Sequence, residues 1–162
     1  MTAAVLLLAL ATAQKPEADN YFKTAKVGDW IEHKTGTVVM RHTVTTKTDD
    51  AVTIRIDQTV DGKKGEPIEQ KIDLKGAPPK SDPDTKSEKV DSGKETLTVA
   101  GKKYECEWVK TKTTITRDGK EMVFVSKGWA CKDVPLGGAV RIEFEVNGVA
   151  GVTELTGFGR GK

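Results

Sequence analysis

An all-β fold is predicted: a strongly curved antiparallel sheet, a half-barrel or open barrel, of about nine strands in a mainly meander order. Three observations predict it. Apolar residues recur with period two along most of the chain, and no stretch sustains a helical period. Strand-like runs flank two strong hairpin pairs, Asp118-Gly119 and Asn147-Gly148. Within the longer hairpin the apolar positions change face, which calls for a bulge near Gly128 or strong coiling.

The first segment is read as an export signal. Ala3 to Ala13 is apolar apart from Thr12 and ends in Ala11-Thr12-Ala13, an A-x-A cleavage signature, so residues 1–13 are expected to be removed. The run is too short to span a bilayer. Only Met1 and Thr2 precede it, so the usual positive flank is missing. No Cys follows the cleavage position, which argues against a lipid anchor. No other stretch reaches the ~20 apolar residues of a membrane span. After a lead over 14–26, one β domain is expected over 27–156.

The opening strand runs from about Val27 to Lys34, with Val27, Ile31 and His33 on one face and Trp30 on the other. Val38, Met40, His42 and Val44 mark the second strand, and Val52, Ile54, Ile56 and Val60 the third. Both sets are even-numbered, so an odd loop, Thr48-Asp49-Asp50, is needed to place them on one side. A Gly/Lys-rich turn over 61–66 leads to Ile68, Ile72 and Leu74, completing a four-strand meander. Residues 75–93 hold three prolines, no aromatic residue and only Ala77 and Val90 as apolar members, so they are expected to be a mobile loop.

Strands resume at Glu95 and enter the long hairpin. If Asp118 and Gly119 form a two-residue turn, Arg117 faces Lys120 and Trp108 faces Trp129. Cys106 and Cys131 then face each other, at a non-hydrogen-bonded pair with a Cα separation of ~4.5 Å, within disulfide range. A disulfide between Cys106 and Cys131 is therefore expected, as suits an exported chain. After Val134 to Gly138, a non-strand break, Asn147-Gly148 aligns Val146 with Val149 and Arg141 with Glu154. Gly157, Gly159 and Gly161 mark residues 157–162 as a fraying tail.

The segments ETLTVAGKKYECEWV (Glu95 to Val109) and GWACKDVPLGGAVRIEFE (Gly128 to Glu145) resemble a pattern in exported bacterial proteins of unknown function. Those proteins are similar in plan to antiparallel half-barrels of the lipoprotein-carrier type. The resemblance covers roughly the C-terminal half and implies a bent sheet with a concave apolar face able to hold acyl chains. It carries over no site residues.

Chemistry is sparse. His33 and His42 fall at alternating strand positions and read as packing residues, with nothing pointing to a nucleophile such as Ser126 beside them. Aspartates at 49–50, 61, 82 and 84 match no calcium loop, and the Gly pairs lack the context of a phosphate cradle. No catalytic residue, metal site or cofactor is expected. The charge is evenly mixed, with 26 basic and 24 acidic side chains and a net +2, which argues against nucleic acid as a partner. The sequence points to a secreted or periplasmic, non-enzymatic protein holding an apolar or amphipathic ligand on a concave sheet. Tyr104, Trp108 and Trp129 are its candidate lining. The alternative is a structural or interaction component of the cell envelope with a filled core. The partner is accordingly a lipid or other apolar small molecule, or an envelope protein.

Overall fold

The computed structural model describes residues 21–75, 84–117, 119–146 and 148–162. The signal over 1–13, the lead up to residue 20, residues 76–83 and the turn residues Asp118 and Asn147 lie outside them. Among the described residues are a single 3-10 turn, Tyr21–Thr24, and ten strands. These are β1 (Trp30–Thr35), β2 (Val38–Lys47), β3 (Ala51–Val60), β4 (Lys63–Lys64), β5 (Ile68–Asp73), β6 (Thr85–Val99), β7 (Lys102–Arg117), β8 (Lys120–Ala130), β9 (Ala139–Val146) and β10 (Val149–Gly159).

All ten belong to one curved, open antiparallel sheet in the order β4-β3-β2-β1-β10-β9-β8-β7-β6, with β5 also on β3. It consists of two meanders joined where the first strand meets the last. Period-two alternation explains the N-terminal half. Ile31, His33, Met40, Val44, Ile54 and Ile56 are buried on one side, while Arg41 and Arg55 stand on the other. The expected odd loop is not what aligns the faces: Lys47 pairs with Val52 around a four-residue turn, and a one-residue bulge between Val44 and Thr46 then brings both apolar sets inward.

The hairpin register follows the sequence reading from Arg117↔Lys120 through Trp108↔Trp129 to Glu107↔Ala130 without a shift. The bulge lies on the neighbouring edge instead, between Trp129 and Ala130 where β8 meets β9. The change of buried side is also present. Tyr104 and Cys106 are buried at even positions of β7, Thr111 and Thr113 at odd ones.

Two expectations need correction. The loop of residues 75–93 is shorter, because Thr85 to Gly93 is strand and pairs with β7. An edge strand needs little apolar surface when its ladder is supplied by a neighbour. β6 is exposed at nearly every position and adds a Ser87–Thr113 hydroxyl pair at 2.9 Å and ion pairs Lys112–Glu88 and Lys94–Glu107. Its charges and its bulge near Val90 also discourage pairing with a foreign strand.

The second correction concerns residues 157–162, which do not fray. Gly157 and Gly159 pair with Glu32 and Trp30 of β1, and the Trp30 indole lies against both, so a Cβ on Gly159 would collide with its Nε1 edge. Glycine here makes room for an aromatic neighbour, with Arg41 stacked 3.8 Å over that ring. Gly161 N–H donates to Asp29 Oδ1 at 2.7 Å, and Lys26 N–H to Oδ2 at 2.9 Å, so buried Asp29 ties both chain ends together.

One end of the sheet is plugged. Val134 and Leu136, in the break between β8 and β9, pack inward; Leu136 touches both a cluster of Ile31, Tyr104, Trp129, Val140 and Leu155 and a second cluster of Ala25, Val44, Val52 and Leu74. Lys47 Nζ donates to the Lys23 and Ala25 carbonyls at 2.6 Å each, holding the 3-10 turn over the second cluster.

Candidate functional site

The expected lining residues do not line an open cavity. Trp129 is only 4 % exposed, and its Nε1–H donates to Glu95 Oε2 at 2.9 Å. Lys127 Nζ lies 4.1 Å above the Trp108 ring, 4.4 Å from that of Trp129 and 3.6 Å from the Glu95 carboxylate. The protein's own ammonium therefore fills the space between the two indoles. Tyr104 is buried in the first core cluster, and burial raises its phenol pKa. The hydrogen bond from Trp129 holds the Glu95 carboxyl below its usual range, helped by Lys127.

Cys106 and Cys131 share the first core cluster, but both are free thiols, and the structure does not support the expected disulfide. β8 ends at Ala130, and Cys131 turns aside to donate its N–H to the Gly138 carbonyl at 2.8 Å. The staple reading assumed that the ladder continued one pair further. Burial, with the nearby Cys131, pushes the Cys106 thiol up to about 11. Both cysteines are buried, so both should be silent to a water-soluble thiol reagent in the native protein, and two per chain should react in denaturant without reductant. Their absence in denaturant would show that the crosslink exists after all.

A groove of about 840 Å³ between β6, β7 and the 130–138 segment runs beside both cysteines. Its walls carry charge of both signs, including Lys94, Glu105, Glu107, Lys132 and Arg160, so it is no seat for an apolar chain.

The apolar surface left open lies elsewhere, at the end away from the plug. There the hairpins β7–β8 and β9–β10 run past the N-terminal meander. Their inward side carries Ile115↔Met122 and Phe124↔Val146↔Val149. Phe144 stacks on Phe124 with ring centroids 6.2 Å apart and overlies Gly151. Ile115, Phe124, Phe144 and Val146 are half-buried, but Met122 is 36 % and Val149 71 % exposed. This strip continues the side on which Ile142 and Thr153 are buried. The alternation of residues 142–149 was visible in the sequence. What it could not show is that no described element covers the strip.

The same side turns polar further in. Ser126 Oγ and Thr111 Oγ1 are 2.8 Å apart and buried, so this serine is paired with a hydroxyl. His33 is buried and donates from Nε2 to the Ala139 carbonyl at 2.9 Å. Burial lowers the pKa of both histidines, that of His42 to about 4. Among the described residues no three His, Cys, Asp or Glu side chains could hold a metal ion, and no helix is long and apolar enough to cross a membrane.

No protein-family model matches the chain, and no curated protein matches it significantly. Two crystal structures are similar to the chain, the first of them sharing its fold. One, from Parabacteroides distasonis and provisionally described as a lipoprotein, is 15 % identical with a TM-score of 0.51 over 83 % of this chain and 96 % of that one. The other, from Bacteroides fragilis and provisionally described as an exported protein with a YmcC-like fold, is 12 % identical with a TM-score of 0.48 over 84 % and 97 %. Neither supports the likeness to lipoprotein carriers.

Proposed function

We propose that the protein is an exported, non-enzymatic β domain that binds an apolar or amphipathic molecule along the inward face of its projecting hairpins. The observation that carries this reading is the uncovered strip Ile115, Met122, Phe124, Phe144, Val146 and Val149, an apolar surface at the mouth of a curved sheet. Export is supported by the apolar run ending in Ala11-Thr12-Ala13, and an envelope setting accords with the description of the Parabacteroides protein as a lipoprotein.

One observation favours a second reading. The plugged end is filled by its own side chains, with Val140 and Val52 fully buried. A molecule bound at the strip lies along the sheet and does not enter its centre. A protein segment from the envelope meets the same requirement, which makes an interaction role the alternative.

Titration with a fluorescent fatty-acid probe separates the two. The wild type should bind, and Met122→Asp/Val149→Asp should weaken binding by about tenfold or more, because two carboxylates would have to be desolvated against the chain. The exposure of both positions should leave the fold intact by circular dichroism. Equal binding by the variant would remove the strip from the account, and no binding by the wild type would favour the interaction role.

A further inference from the structure

We propose that His33 is a proton-operated latch across the seam between the two meanders, closed when the imidazole is neutral and released when it takes a second proton. The seam is β1 against β10, and His33 stands at its register shift, next to Glu32. Its ring reaches past β10 to the Ala139 carbonyl of β9. Ala139 in turn pairs with Ala130 at the β8–β9 bulge. One side chain thus connects the two irregularities that flank the β9–β10 pair, and it does so from the opposite meander.

Its protonation state follows from its partner. A carbonyl only accepts, so Nε2 carries the proton and Nδ1 holds the lone pair. Nδ1 is buried and has no hydrogen-bond partner. A neutral ring leaves one weak acceptor unpaired there. A second proton would create an N–H donor with nothing to receive it and place a cation at a position 3 % exposed.

The surroundings offer little compensation. On β1 itself Glu32 favours the cation, but its carboxylate already accepts from Thr156 at 2.8 Å. From β2 the neighbouring titratable group is His42, which favours the neutral ring if itself charged. β10 faces His33 with Leu155, and β9 with the Ala139 carbonyl. Because burial depresses the folded-state pKa, the unfolded or opened chain takes up the proton first. The closed seam therefore has full stability above the ordinary histidine pKa of about 6.5 and loses it as pH falls below that value.

Ring nitrogen NMR and amide exchange on the full chain test the latch, compared at about pH 7.5 and about pH 4.5. His33 should be the Nε2–H tautomer at the higher pH. After correction for intrinsic rates, amides of β1 and β10 should exchange about tenfold faster at the lower pH, with β7–β8 changing less. His33→Gln keeps a donor for the Ala139 carbonyl but cannot take a proton, so it should lose most of that acceleration. His42→Gln should keep it. If His33→Gln does not fold, the wild type alone decides, because seam opening must follow the His33 ring titration. Protection that does not change with pH, undiminished acid sensitivity in His33→Gln, or opening that follows His42 would each overturn the proposal.

Discussion

Deleting residues 157–162 should cost at least about 4 kcal/mol and leave much of the protein unfolded at room temperature. The segment looks dispensable in the sequence, yet it forms the end of β10, which lies in the middle of the sheet. Its loss removes the pairs Trp30↔Gly159, Ile31↔Phe158 and Glu32↔Gly157 and uncovers the edge of β1. Phe158 packs on the main core cluster, and burial of such a side chain contributes about 2 kcal/mol. Asp29 would also lose the Gly161 amide and keep a buried carboxylate oxygen without its partner, a further cost of about 1–3 kcal/mol. Urea denaturation checks this. A loss below about 1 kcal/mol would mean that the β1–β10 seam does not join the meanders as described.

Gly138→Ala should be among the most damaging conservative substitutions at the described residues, at about 3–5 kcal/mol. Gly138 has a φ of +71°, a region that residues with a Cβ rarely adopt, and the added carbon would strike the Cys131 carbonyl oxygen. Backbone cannot swing away as a long side chain can, so relief requires moving the plug. The Cys131 N–H bond to the Gly138 carbonyl and the inward placement of Val134 and Leu136 would then suffer together. Gly36→Ala is the comparison. It shares the positive φ, at +57°, but its Cβ meets nothing, so it should cost only the backbone strain of about 1–2 kcal/mol. Equal losses in the two variants, measured by thermal or urea unfolding, would show that the plug is not tightly held.

Much of this architecture was legible because it is local. Alternation over Val38 to Val44 and Val52 to Val60 set the inward faces, and a two-residue turn set the pairing of a hairpin more than ten residues deep on each side. Two of the errors share one cause: each depended on a partner distant in sequence. Residues 85–93 looked unable to order themselves because they bury almost nothing, but β7 supplied their hydrogen bonds. The terminal glycines looked loose until Trp30, more than 120 residues earlier, was seen to rest on them. Cys131 was one residue too far, since β8 yields to the plug just before it. Trp108 and Trp129 met as predicted, but whether two paired indoles hold a ligand depends on what stands between them, and here it is Lys127.

Native mass spectrometry of the protein, isolated from its native cells without detergent exchange, tests the central claim most directly. The account predicts that wild-type protein carries an additional apolar mass, and that Met122→Asp/Val149→Asp purified in parallel is bare. A wild-type protein that flies as the bare chain, or a double variant that carries the same mass, would contradict it.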